Sequence, residues 1–257
     1  GGAFSMARID RDYSINDDII AHELGHNFGL YHANKFVDCR VINVILNRKS
    51  YSCSSDEYGD FTDVMGNSYR DHFNAPHKET LDWLLPSQIQ NVQSSGIYRI
   101  LPLETSTEGV QALILNAFPP GIPLEPKGVF HPLKLYIEYR KLSSWNFQVQ
   151  AHFNFFSPNK LYGGGDTEIL DLRPEGFDSR YGLIEGESYL DPSNQFTLRV
   201  LETNEKEAIV AIEFSGKTLP IYNKFIRGDV NKDGNVDTTD VIAILEHLFY
   251  GKDNVPC

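Results

Sequence analysis

The chain has 257 residues, 41% hydrophobic and 23% charged, the balance of a folded globular protein long enough for one large domain or two to three small ones. A net charge of −12 argues against nucleic acid or an anionic membrane as partner, since both attract basic surfaces, and suits a calcium-rich setting outside the cell. No apolar run is long enough to span a bilayer, and the chain opens Gly1-Gly2-Ala3-Phe4 without an initiating Met, so a piece of a longer protein is expected.

Phe4-Ser5-Met6-Ala7-Arg8-Ile9 alternates and predicts a short strand. Asn16 or Asp17 can cap the helix that follows. That helix carries His22-Glu23-Leu24-Gly25-His26-Asn27-Phe28-Gly29-Leu30-Tyr31-His32, which reads HExxHxxGxxH. Residues four apart share a helix face, so His22 and His26 aim two imidazoles at one metal ion. Glu23 stands beside that face, where a carboxylate can take a proton from an activated water. Gly29 lacks a Cβ and can end the helix in a left-handed turn; the chain then doubles back and His32 supplies a third ligand. Three neutral imidazoles with an open fourth position describe catalytic rather than structural zinc. Three unrelated histidines on a helix and a loop are the alternative, which leaves the register of the other letters unexplained.

Cys39 and Cys53 fall in a region expected to be loop, close enough in sequence to form a short disulfide in an oxidising compartment. Two buried thiols are the other possibility. Cys257 is the last residue and has no evident partner. Residues 56–66 form a polar loop closing on Val64-Met65-Gly66. A methionine in a tight turn after HExxHxxGxxH marks the metzincins, whose Met-turn forms a hydrophobic floor under the metal. Core filling is the plain alternative for Met65.

On His22 through Ala33, Glu57-Tyr58-Gly59-Asp60 and Asp63-Val64-Met65-Gly66, the chain resembles the gametolysin family of metzincin metallopeptidases. Asn74-Ala75-Pro76-His77-Lys78 followed by Leu81-Asp82-Trp83 resembles the family's next helix. The likeness covers residues 1 to about 86 and weakens beyond. It implies a secreted zinc endopeptidase acting on extracellular or cell-wall protein. Two departures stand out. Some metzincins place a zinc-binding Tyr two residues after the Met, where this chain has Asn67; Tyr69 can act as a hydrogen-bond donor behind the ligands or simply pack at the surface. Metzincins also carry a substrate-pairing sheet before the zinc helix, and with 21 residues ahead of His22 the upper half of the catalytic domain is expected to be missing. His72 and His77 are left outside the metal site as ordinary polar residues.

From about residue 90 the period changes to two. Leu133, Leu135, Ile137 and Tyr139 alternate with Lys134, Tyr136, Glu138 and Arg140, and Phe147, Val149, Ala151, Phe153 and Phe155 alternate with Gln148, Gln150, His152 and Asn154. Residues 97–103, 110–117, 196–203 and 207–214 read as further strands, and Gly163-Gly164-Gly165 and Pro119-Pro120-Gly121 punctuate them. Half-buried strands with turn signals between them predict an antiparallel β-sandwich. Its aromatic residues can serve carbohydrate binding or core packing.

Near the end, residues 229–240 fit a calcium loop. Asp229, Asn231, Asp233, Asp237 and Asp240 bring side-chain oxygens to loop positions 1, 3, 5, 9 and 12, Gly234 makes the sharp turn, and Asn235 offers its backbone carbonyl. A solvated Asp/Asn/Gly turn is the alternative. Val241, Ile244, Leu245, Leu248 and Phe249 then form an apolar helical stripe. With Asp rather than Glu at the last loop position, the segment resembles one repeat of a dockerin module, which normally pairs two.

The expected architecture is multidomain α+β: the lower part of a metzincin catalytic domain over residues 1–90, an antiparallel β-sandwich over 91–218, and a single, truncated dockerin-type repeat over 225–257. The expected activity is peptide-bond hydrolysis outside the cell, with zinc on His22, His26 and His32, Glu23 as general base and Ca²⁺ in the C-terminal loop. A protein or peptide is the substrate, and a cohesin-type or other anchoring protein is the partner implied by the repeat. The rival reading is a non-catalytic anchoring or adhesion protein; the intact Glu23 counts against it. A glycan-binding module, resting on the sandwich aromatics alone, is the weakest of the three.

Overall fold

A computed structural model describes residues 17–45, 48–67, 72–115, 134–142, 147–154, 166–173, 181–191, 195–215, 230 and 236–250, with the backbone alone for 38–45, 48–53 and 250. The expected strand at Phe4–Ile9, the cap at Asn16, Tyr69 and the glycine run at 163–165 lie outside them. The chain divides into two compact units, Gly1–Leu219 and Pro220–Cys257.

In the first unit, helix α1 (Asp17–Asn27) precedes a long hairpin, β1 (Ala33–Ile45) and β2 (Arg48–Asp56). Helix α2 (Ala75–Thr80) and a 3-10 turn, Pro86–Gln88, lead into β3 (Ile89–Val92), β4 (Gly96–Ile100), β5 (Ala112–Leu115), β6 (Lys134–Arg140), β7 (Gln148–Asn154), β8 (Thr167–Ile169), β9 (Ser188–Leu190), β10 (Phe196–Thr203) and β11 (Ala208–Phe214). Seven strands form one sheet in the order β2-β1-β8-β7-β6-β5-β3, and four form a second in the order β4-β11-β10-β9.

The mixed α+β class stands, but the larger sheet is not purely antiparallel: β1 runs parallel to β8, and β3 parallel to β5. Nor are residues 33–56 loop. Val37, Val41, Ile42, Val44 and Ile45 are β-branched residues that favour a pleated strand. Ala33↔Thr167 and Lys35↔Ile169 pair this hairpin with β8, so strands from both sides of residue 90 share one sheet. The register runs from Val37↔Ser54 to Arg40↔Ser52 across a bulge, which sets Cys53 opposite Asp38 and Cys39 on the backbone.

The two sheets meet over an apolar core. Leu135, Ile137 and Tyr139 of β6 and Val149, Ala151 and Phe153 of β7 pack with Leu198, Val200, Val210 and Ile212 from the smaller sheet. Each such buried aliphatic side chain contributes about 1.5–3 kcal/mol. The opposite face of the large sheet is buried too. Tyr136, Glu138, Arg140, Gln148, Gln150 and His152 all lie on it, and the chain carrying α2 and the methionine turn packs there. The alternation of the sequence is real, but its polar face meets protein instead of water.

The described part of the second unit is α3 (Thr238–Tyr250) with the residues leading into it.

Candidate metal centre

Helix α1 presents His22, Glu23 and His26, with Asp17 and Asp18 in its first turn where acidic groups complement the helix dipole. The helix closes at Gly29, whose φ of 90° is a left-handed conformation that glycine adopts without strain. Three amides tie off that end: Phe28 N donates to Leu24 O at 3.0 Å, Gly29 N to His26 O at 3.0 Å and Leu30 N to Gly25 O at 3.0 Å. Leu30 is buried with Ala33, Met65 and Phe73, which anchors the returning chain and brings His32 back to the helix.

The three histidines converge as the spacing predicts. Their candidate ligand atoms lie within 4.8 Å of one another, and among the described residues no other group of three or more His, Cys, Asp or Glu does so. Ring centroids are 4.8 Å apart for His22–His26, 5.0 Å for His26–His32 and 5.7 Å for His22–His32.

What sequence spacing did not reveal is the outer shell. His22 Nδ1 is 2.9 Å from Val64 O, His26 Nδ1 is 3.0 Å from Leu30 O, and His32 Nδ1 is 2.7 Å from Glu57 Oε1. Carbonyl and carboxylate oxygens only accept, so each Nδ1 must carry the proton, leaving each Nε2 lone pair for a ligand. This is the arrangement by which metal-binding imidazoles are oriented and kept basic. Burial lowers the pKa of His22 despite the opposing Val64 carbonyl, and repulsion from His26 and His32 pushes the same way, which favours the neutral, ligating ring. The donor set fits a zinc ion with one side open. Glu23 is half-buried beside it.

The floor is built from Met65, which is fully buried. A Cβ on Gly25 would stand 2.3 Å from Met65 Sδ, so the helix rests on the methionine only because that position is glycine. Glycine inside a helix costs about 1 kcal/mol relative to alanine; here it opens the space that the floor requires. Asp63 shapes the turn: its Oδ1 accepts from Met65 N at 2.6 Å, and its Oδ2 accepts from Asn74 N at 2.5 Å and lies 3.0 Å from His77 Nδ1. Met65 O in turn accepts from Ala33 N at 2.9 Å. A Cβ on Gly66 would lie 1.9 Å from Asp60 O, so that turn admits only glycine.

Behind the floor, the buried polar face of the sheet takes hold. Asp60 accepts from Thr62 N at 2.8 Å and lies 3.0 Å from His152 Nε2 on β7. Arg140 on β6 donates to Thr62 O at 2.8 Å and His72 O at 3.0 Å, and pairs with Glu138 at 3.0 Å and Glu104 at 2.6 Å. Burial opposes a charge on His152, yet Glu138 and Asp60 outweigh it and raise its pKa to about 10. Asp60 and Glu138 are held below the usual carboxylate range against the same burial, chiefly by His152. A charged imidazolium thus ties the methionine turn to the sheet.

His77 is spent on Asp63, and His72 meets Arg140 through its backbone carbonyl; neither joins the metal cluster. Tyr58, Glu57 and Gly25 fall within the stretches that carry the family likeness, but the sequence assigned them no role. Tyr58 sits with its ring centroid 4.0 Å from that of His32, and burial, then Glu57 and Glu23, raises its pKa.

In the C-terminal unit, Asp229, Asn231, Asp233 and Asn235 lie outside the described residues. Asp237 opens α3: its Oδ1 accepts from Thr239 N at 2.8 Å and Thr239 Oγ1 at 2.7 Å. Asp240 is buried, and its oxygens accept from Val230 N at 2.6 Å and Asp237 N at 2.8 Å, joining the start of the loop to its end. Val241, Ile244, Leu245, Leu248 and Phe249 are exposed along the helix.

No family model, curated protein or solved structure matches this chain. No helix among the described residues is long and apolar enough to cross a membrane.

Proposed function

We propose that this chain is part of a secreted zinc endopeptidase of metzincin type, hydrolysing peptide bonds of extracellular or cell-wall proteins. One observation carries the reading: three imidazoles converge, each with its outer nitrogen held by a protein oxygen, beside a half-buried glutamate and over a buried methionine. Such a shell orients ligands for an ion, and a chance meeting of histidines does not need it. His22, His26 and His32 hold the zinc. When bound, zinc supplies Lewis acidity, which polarises a carbonyl and brings the pKa of a water to about 7. Glu23 takes a proton from the attacking water and hands it to the nitrogen of the leaving amine. The methionine turn, held by Asp63, presents the Val64 carbonyl that orients the His22 ring.

The C-terminal unit is proposed as a dockerin-type repeat that binds Ca²⁺ through Asp229, Asn231, Asp233, Asn235, Asp237 and Asp240 and attaches the enzyme to an anchoring partner. The exposed apolar stripe of α3 favours that role. It also keeps a second reading in play, in which anchoring is the whole function.

The test is turnover of an unfolded protein substrate by the complete protein, loaded with zinc, with and without a chelator. Cleavage should stop on chelation. Glu23→Ala should keep zinc yet lose turnover by several orders of magnitude, since base and acid vanish together. Equal turnover in the two proteins refutes the mechanism; no cleavage by either, with calcium-dependent partner binding intact, favours anchoring alone.

A further inference from the structure

Tyr58 stands out on three independent counts. The first is position. Its ring centroid is 4.0 Å from that of His32 and 5.9 Å from that of His22, tilted 38° and 34° to them, and the side chain is 39% exposed. An aromatic ring therefore lies beside the histidine cluster and is partly open to solvent.

The second is backbone conformation. Tyr58 has φ of 63°, and among the described residues Asp82 is the one other non-glycine with positive φ. Tyrosine is poorly suited to that region, whereas glycine enters it freely. Gly59 follows immediately but serves another need: a Cβ there would stand 2.7 Å from Lys35 Cβ and 2.9 Å from Asp56 O. The strained conformation therefore falls to the tyrosine and is held by its surroundings. Tyr58 N donates to Asn34 Oδ1 at 3.1 Å, Asn34 Nδ2 donates to Glu168 Oε1 at 3.2 Å, and Gly59 N donates to Asp56 O at 3.0 Å. Strain maintained this way collects where function requires a particular side-chain placement.

The third is sharing of one turn. Glu57, the preceding residue, holds His32 Nδ1 at 2.7 Å, so the left-handed twist at Tyr58 brings two successive side chains to the same ligand. One grips its outer nitrogen and the other lies against its ring. A phenol is protonated through the neutral range and can donate a hydrogen bond.

We propose that Tyr58 is a catalytic residue of this centre, its hydroxyl donating a hydrogen bond to the carbonyl oxygen of the bound peptide as negative charge develops there. The proposal rests on the peptidase reading above. No proton is transferred by Tyr58 and no bond to it forms. The hydrogen bond strengthens as the oxygen gains charge, so it acts on kcat more than on KM.

The experiment uses the complete protein, loaded with cobalt(II) as a visible substitute for zinc, and compares wild type with Tyr58→Phe and Tyr58→Gly. Three readouts are needed: cobalt affinity and acetohydroxamate affinity from the visible absorption bands, kcat and KM on a quenched peptide, and melting of the metal-free protein. Tyr58→Phe should keep cobalt affinity within about twofold, lose about a hundredfold in kcat with KM little changed, and bind acetohydroxamate about tenfold more weakly. Tyr58→Gly should lose the same activity while melting no lower than wild type, because the strain is relieved. Full kcat and hydroxamate affinity in Tyr58→Phe would overturn the proposal and leave the peptidase reading standing. So would loss of cobalt from Tyr58→Phe, which makes the phenol a ligand, or a much lower melting point for Tyr58→Gly, which makes it a packing residue. Wild type that neither binds cobalt nor cleaves peptide would overturn both.

Discussion

At the histidine cluster every candidate ligand ring has its outer nitrogen held by a protein oxygen, whereas the two described acids of the C-terminal loop accept from backbone amides and a hydroxyl of the loop and helix. The first site stands on a buried methionine, a glycine-cleared contact and a polar layer rooted in a seven-stranded sheet. The second leads into a helix of 13 residues whose apolar stripe is exposed. The difference teaches where each site gets its order. Packing that exists without an ion organises the histidines, while the short helix gains little from itself, because nucleation is costly and few hydrogen bonds follow. Metal should therefore bind the first site with little change of fold and order the second.

The strongest way to break this contrast is to remove the support of the first site. Asp63→Ala strips the acceptor from Met65 N, Asn74 N and His77 at once, in a fully buried place. A loss of about 3 kcal/mol or more is expected, since each buried donor left unpaired costs about 1–3 kcal/mol, and zinc affinity should fall with it. Denaturant unfolding of the metal-free protein checks this; a loss below about 0.5 kcal/mol, the range of an ordinary surface substitution, would mean that the floor is not organised by Asp63.

Somewhat smaller is the effect of the proposed Cys39–Cys53 bond, whose two residues fall on the paired strands of the β1–β2 hairpin. Closing a loop of this size adds about 3 kcal/mol in the chain-entropy model, an upper figure because strain subtracts from it. Non-reducing peptide mapping of protein made in an oxidising compartment should find one linked pair, and two free thiols there would reject the bond.

The smallest effect belongs to the C-terminal unit. Asp240→Ala removes the acceptor that joins Val230 N and Asp237 N, so the helix signal should become insensitive to Ca²⁺. Far-ultraviolet circular dichroism during calcium titration reads it. A helical signal in wild type that is complete without calcium would erase the contrast between the two sites.

Much of this organisation was readable from residue patterns, and the failures are as physical as the successes. The histidine spacing located three converging rings because helix periodicity is local and Gly29 stops the helix where the motif requires. Strands at 134–140, 148–154, 196–203 and 208–214 were legible because alternation is also local. The β1–β2 hairpin was missed because Asp38-Cys39-Arg40 interrupts the alternation at the bulge. The parallel pairing of β1 with β8 joins residues more than a hundred positions apart, and no local pattern encodes it. The polar face of β6 and β7 looked like a solvent face. Only the fold reveals that Glu138, Arg140 and His152 are buried against the methionine turn, since burial is a property of what arrives from elsewhere. Tyr58 had a faint signal, a bulky residue placed just before a glycine in a tight turn.

The central claim is that the three histidines form one preorganised zinc site. Isothermal titration of zinc into the metal-free chain, with circular dichroism alongside, tests it most directly. The account predicts one ion per chain and little change in secondary structure. It also predicts the same stoichiometry in Glu23→Ala and near-complete loss of binding in His26→Ala. Wild-type binding that survives His26→Ala undiminished, or that requires the chain to refold, would contradict it.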